Sequence, residues 1–173
     1  MTESRRPEVR ESFVNTYQEW HEPCTFASID KVRDEITEIL AGAEWITDYR
    51  KSLLQTGCDE MVTNAAIDAH RAPDAKREDP KESEDKFFDV SLHLTGDALA
   101  IMVKDQGEGF EPDTEYDPTD PQNLLVPSKR GLFLARQAYD NVGFAPSPEG
   151  TTVTLEFHRG GPKDTQDHAT ESK

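Results

Sequence analysis

Leu99-Ala100-Ile101-Met102-Val103 is a nearly continuous apolar run, and it leads directly into Lys104-Asp105-Gln106-Gly107-Glu108-Gly109-Phe110. An uninterrupted run of this length suits a central strand covered on both faces. Asp105 stands where that strand ends, so its carboxylate can be held rigidly. Gly107 and Gly109 let the following backbone come close to a ligand.

The rest of the chain is read outward from this strand. Phe88, Val90, Leu92 and Leu94 alternate with polar neighbours, and Thr95-Gly96-Asp97 makes a tight turn, so a second strand precedes the central one. Upstream, Ile29, Val32, Ile36, Ile39 and Leu40 recur at helical spacing. Ser28 is the expected cap of that helix, Asp30 complements its positive end, and Ala41-Gly42-Ala43 closes it. A longer helical stretch runs from about Thr47 to His70, with Gly57 inside it. Ala72 to about Lys86 is a charged loop. Glu111 to Ser128 is an acidic, proline-containing stretch of the kind that forms functional lids. Arg130-Gly131 opens a helix carrying Leu132, Leu134, Ala135 and Tyr139. A short strand over Asn141–Phe144, a turn at Pro146–Gly150 and a strand over Thr151–Phe157 complete the pattern. The predicted fold is α+β: a two-layer sandwich with helices on one face of a mixed, mostly antiparallel sheet. Residues 1–12 are expected to be flexible, 13–158 to form the domain, and 159–173 to be a disordered tail.

Composition removes several classes of function. A net charge of -16 argues against nucleic acid as a partner, because phosphate backbones need a basic face. It leaves room for a nucleotide, which arrives with a metal and can be held by backbone N–H groups. No stretch approaches the roughly 20 apolar residues of a spanning helix, so no membrane partner is expected. No apolar run follows Arg5-Arg6, so the expected compartment is the cytoplasm. Cys24 and Cys58 form no CxxC pair and are expected to be reduced packing residues. The five histidines show no metal-ligand spacing.

Four short motifs are candidates for chemistry. Glu60, Asn64 and Asp68 are spaced to share one helical face. That stripe is either a solvated surface or a metal site in which the Asn64 amide oxygen holds Mg²⁺ and Glu60 sits one turn away. Asp105 is either an ordinary strand end or a fixed acceptor that favours adenine, whose N6 amino group donates, over guanine. Lys129-Arg130-Gly131 either balances the acidic stretch before it or offers an anion the free N–H groups of a helix start. Gly150-Thr151-Thr152-Val153 is, taken alone, a turn entering a strand.

The order of the four is more specific than any one of them. Glu-x-x-x-Asn-Ala, Asp-x-Gly-x-Gly-Phe, a long lid, Arg-Gly-Leu-Phe-Leu and Gly-Thr-x-Val together resemble the histidine-kinase-like (GHKL) ATPase superfamily over roughly Phe26 to Phe157. Within it the chain is similar to the small anti-sigma-factor serine/threonine kinases of bacteria. The resemblance implies ATP and Mg²⁺ as cofactors, Glu60 as the catalytic base or orienting group, and Asn64 as the metal ligand. It implies nucleotide contacts from Asn64, Asp68, Asp105, Gly107, Gly109, Phe110, Lys129, Arg130, Gly131, Leu132, Thr151 and Thr152. Asp68 stands where these kinases commonly have a histidine, and Lys129 where the second glycine block begins. The implied partners are a STAS-domain anti-anti-sigma protein, which is phosphorylated, a sigma factor, which is sequestered, and a second copy of the chain. A non-catalytic ATP/ADP-binding switch and a stand-alone histidine-kinase catalytic domain are the alternatives.

Overall fold

The computed structural model describes residues 15–68, 82–107 and 130–165, with Asp68 and Arg130 described in their backbone only. Chain order is β1 (Thr16–Cys24), α1 (Phe26–Ala41), α2 (Asp48–Thr63), β2 (Ser83–Leu94), β3 (Ala98–Lys104), α3 (Arg130–Ala138), β4 (Asn141–Ser147) and β5 (Gly150–His158). A π-helical turn, Asn64–Asp68, continues α2. The strands form one sheet in the order β1-β2-β3-β5-β4, and every described pairing is antiparallel. Helices and sheet make the two-layer α+β architecture expected from the patterning.

Period-two alternation decides which face of the sheet is covered. Phe88, Val90, Leu92 and Leu94 of β2, Leu99, Ile101 and Val103 of β3, and Val153, Leu155 and Phe157 of β5 are all buried. Adjacent strands match them in register, with Leu94 opposite Leu99 and Leu99 opposite Phe157. Val32, Ile36 and Leu40 of α1 and Leu54, Cys58, Met61 and Val62 of α2 join the same core. β3 is central, as expected, but it is not covered on both faces. Met102 is 48% exposed, because α1, α2 and α3 pack on the other side. The apolar run came from small or flexible residues on an open face.

Four further expectations are corrected. β1 did not register as a strand, since only Trp20 and Cys24 are buried along it. The cap of α1 is Thr25, whose extended backbone lets Oγ1 accept from the Ser28 N–H at 3.2 Å; Ser28 lies inside the helix and Asp30 beyond its first turn. β2 begins at Ser83, so the end of the charged loop is strand, with a register break opposite Pro23 and Cys24. Residues 159–165, expected to belong to a disordered tail, have a bonded backbone: Lys163 N–H and Gly160 N–H donate to the Asp140 and Asp164 carboxylates at 2.8 and 2.7 Å. Polar composition suggested disorder there, but those carboxylates satisfy the backbone. The expected lid over Glu111–Ser128 lies outside the described residues, as does residues 1–12.

Side-chain anchors tie the layers together. Trp20 on β1 donates to Glu35 of α1 at 2.8 Å, while Trp45 stacks on Phe157 with ring centroids 5.7 Å apart and donates to the Thr95 carbonyl. Cys24 and Cys58 are both free and buried. Arg33 of α1 donates to Asp59 of α2 at 3.0 Å. Gly57 lets α2 come close to α3: a Cβ there would lie 3.0 Å from Ala135 Cα and 3.2 Å from the Tyr139 ring. The Tyr139 hydroxyl donates to the Leu54 carbonyl at 2.8 Å.

Two outcomes follow from this packing. Gly57→Val should overpack the contact and cost about 1–3 kcal/mol, read as a lower urea midpoint; an unchanged midpoint would mean the helices are not in this contact. Asp59 is the second test, since burial pushes its carboxyl above the ordinary 3.8 although Gln55 and Arg33 pull it down. The folded state therefore holds the proton more tightly than the unfolded chain, and stability falls as pH rises from the ordinary carboxylate value through the raised one. Asp59→Asn should be the more stable form near neutral pH, and the two should converge in acid. A less stable Asn variant at neutral pH would contradict this.

Candidate functional site

The end of β3 is locked to the start of β5. The Asp105 N–H donates to the Thr151 carbonyl at 3.0 Å, and the Thr151 N–H donates back to Asp105 Oδ1 at 2.9 Å. Gly107 N–H donates to the same oxygen at 2.8 Å. Two backbone donors thus fix one carboxylate oxygen of a residue only 9% exposed, while no donor among the described residues reaches Oδ2. The approach is possible because position 150 is glycine. Its φ is 134°, and a Cβ there would lie 2.0 Å from the Asp105 carbonyl oxygen. Phe87 N–H donates to Gln106 Oε1 at 3.2 Å, which ties the loop to β2. Cys24 is buried nearby, and its thiol is pushed up to about 11, first by burial and then by the Asp105 charge, against the pull of Lys86. It is a neutral packing group.

The second half of the site lies where α2 meets the start of α3. Gly131 is buried, and a Cβ there would stand 2.6 Å from Glu60 Oε2 and 3.1 Å from Glu60 Cβ. The partly buried Glu60 side chain therefore lies over the first turn of α3, where backbone N–H groups have no helical partner. Asn64, partly buried one turn on, sends its N–H to the Glu60 and Met61 carbonyls, so the Glu60–Asn64 spacing is helical. Beyond it the backbone widens into the π-helical turn, with Ala65, Ala66 and Ile67 buried and the turn packed on β1 and β2. Asp68 ends this turn, and its side chain lies outside the described residues.

The other candidates divide. Thr151 is 3% exposed on the core face of β5, whereas Thr152 is on the opposite face, so only Thr151 joins the Asp105 cluster. Leu132 is partly buried on α3. Arg130 is the first residue of α3, and Gly109, Phe110 and Lys129 lie outside the described residues. Taken alone, Gly150 had no functional weight as a glycine in a turn, and it counted only within the Gly-Thr-x-Val block. Its use is a contact with a residue 45 positions away, and the only local sign was the Gly-Thr pair at the strand start.

Comparison with known proteins fits this geometry. The family model for the histidine kinase-like ATPase domain matches residues 23–157. A probable C4-dicarboxylate sensor kinase of Bacillus subtilis (strain 168) is 33% identical over 82 residues, which span 46% of this chain and 14% of that protein. The crystal structure of the RsbU and RsbW domains of Rv1364c from Mycobacterium tuberculosis superposes with a TM-score of 0.55 and 17% identity, over 83% of this chain and 32% of that one. The histidine kinase domain of the blue-light activated kinase from Erythrobacter litoralis EL346 aligns more loosely, with a TM-score of 0.41 and 18% identity over 83% and 64% of the two chains.

Gly150→Ala tests the Asp105 lock. Backbone strain at positive φ alone costs about 1–3 kcal/mol, and the new methyl must push the Asp105 carbonyl away. The expected result is a lower melting temperature together with faster amide exchange at Thr151 and Gly107. Wild-type exchange at both amides would show that the lock does not need glycine.

Proposed function

The chain belongs to the histidine kinase-like ATPase domain family, and from that premise we propose that it transfers the γ-phosphoryl group of Mg-ATP to a serine or threonine of a partner protein. The observation that carries this reading is the Glu60 carboxylate lying over Gly131 at the start of α3. It puts a potential proton acceptor beside helix N–H groups suited to phosphate. A carboxylate held by one oxygen at Asp105, with the other not reached by a described donor, fits the amino edge of adenine.

In this reading Asp105, Gly107, Gly109, Phe110 and Thr151 form the adenine end. Lys129, Arg130, Gly131 and Leu132 form the phosphate end. Mg²⁺ would be held through Asn64, a hard oxygen ligand, and supplies charge neutralisation at the phosphates. Asp68, the last residue of the π-helical turn, joins the metal end, and Thr152 is left out. The acceptor oxygen forms the new O–P bond, the bond between γ-phosphorus and the β–γ bridging oxygen breaks, ADP leaves, and the hydroxyl proton goes to Glu60. The acceptor proposed is a STAS-domain anti-anti-sigma protein, with a sigma factor bound by the free kinase and a second copy of the chain as dimer partner. The RsbW-containing fold neighbour supports that setting. This chain spans 14% of the sensor kinase it matches, and that relative favours a second reading, transfer to histidine in trans.

Labelled ATP and candidate STAS proteins decide between them. Acid-stable label mapped to serine or threonine supports the first reading, and acid-labile label on histidine supports the second. Glu60→Gln should cut transfer by about a hundredfold or more with nucleotide binding retained. Asp105→Asn should weaken ATP binding by about tenfold or more. Unchanged transfer in the first variant or unchanged affinity in the second removes the corresponding role.

A further inference from the structure

α3 has nine residues, fewer than the roughly 12–15 at which an isolated helix becomes even marginal in water. Its place depends on what holds its two ends. The N-terminal end is the Glu60–Gly131 contact. The C-terminal end is held by Arg50 of α2, a residue 3% exposed. Its Nη1 donates to the Ala138 carbonyl at 3.0 Å and the Gln137 carbonyl at 3.3 Å, two groups a helix end leaves without partners. Its Nη2 donates at 2.9 Å to the Lys163 carbonyl, and its guanidinium lies 5.7 Å from the centre of the Phe157 ring. One buried cation thus joins the end of α3 to the turn beyond β5.

That turn is itself tied back to the exit of α3. Asp140 accepts from Lys163 N–H through Oδ1 and from His158 N–H through Oδ2, both at 2.8 Å. Gly161 packs so closely that a Cβ would be 2.6 Å from Asp140 Oδ2. Arg159 N–H donates to the Asp97 carbonyl, and Thr165 N–H to the Gly161 carbonyl. A short helix packed against Gly57, with Tyr139 at its exit bonded to the Leu54 carbonyl, cannot shift at one end without disturbing the other.

We propose that Arg50 is a positioning residue for the nucleotide site, and that the Arg159–Thr165 turn it grips is thermodynamically linked to nucleotide binding through α3. The linkage rests on the nucleotide reading above. It is reciprocal: a nucleotide that holds the start of α3 tightens the turn, and loss of the turn weakens nucleotide binding by the same factor. A protein that captures or covers the turn would then set the affinity of a site at the other end of the helix.

The intact chain gives the decisive measurement, amide exchange with and without saturating Mg-AMP-PNP. Protection at Gly107 and Thr151 together with exchange slowed about fivefold or more at Lys163 and Thr165 is the expected pattern. Protection at Gly107 and Thr151 with Lys163 and Thr165 unchanged overturns the linkage and leaves the nucleotide reading standing. No protection anywhere overturns both. Arg50→Met and a chain ending at His158 should each bind Mg-AMP-PNP about tenfold more weakly, with Arg50→Lys recovering part of the loss. Leu94→Ala on β2 serves as the control: it lowers the melting temperature and should bind as the parent does. If all variants of equal melting temperature bind equally weakly, Arg50 acts on stability alone and the proposal fails.

Discussion

A sheet with one buried face must receive every helix on that face, and the rest of this structure follows from that constraint. The alternating residues of β2, β3 and β5 face the same side, so α1, α2 and α3 compete for one surface. Two helices can approach closely there only where side chains are removed. Gly57 and Gly131 provide that room on either side of the α2–α3 contact. The same closeness that fills the core brings Glu60 against the start of α3. Packing and candidate chemistry therefore share one interface, and the glycines that allow the first also allow the second.

Sequence made some of this legible and hid the rest for physical reasons. Strands with buried neighbours on both sides, β2 and β5, announced themselves because every second residue is apolar. β1 is an edge strand. Its core-side positions include Gln18 and Glu22, which weaken the alternation that Trp20 and Cys24 begin. β3 misled in the opposite direction, since Ala100 and Met102 are apolar residues on an open face. Asp105 stood out because an acidic residue ending an apolar run is a local sign. The lock on Asp105 did not, because Gly150 and Thr151 reach it across the sheet. Glu60 and Gly131 lie 71 residues apart, and no local pattern couples them. The ordered turn after Arg159 was missed because its backbone is satisfied by carboxylates, which composition alone counts as solvent-seeking.

Electrostatics add a constraint that packing does not. The chain carries a net charge of -16, yet the ligand of its family is a polyanion. Long-range attraction is unavailable to such a protein, and in the proposed reading local groups supply it, among them the helix N–H donors at the start of α3. Burying Arg50 at the other end of the same helix follows the same logic, because the cation faces the partly negative carbonyl end.

The two tryptophans report on opposite sides of this arrangement. Trp20 sits on the edge strand and is bonded to α1, whereas Trp45 stacks on Phe157, the ring that also lies beneath the Arg50 guanidinium. Their emission should therefore separate optically, the first following attachment of the sheet edge and the second following the α3 clamp. A single-tryptophan variant keeping Trp45 would turn the chain into its own fluorescent gauge of how firmly that helix is seated.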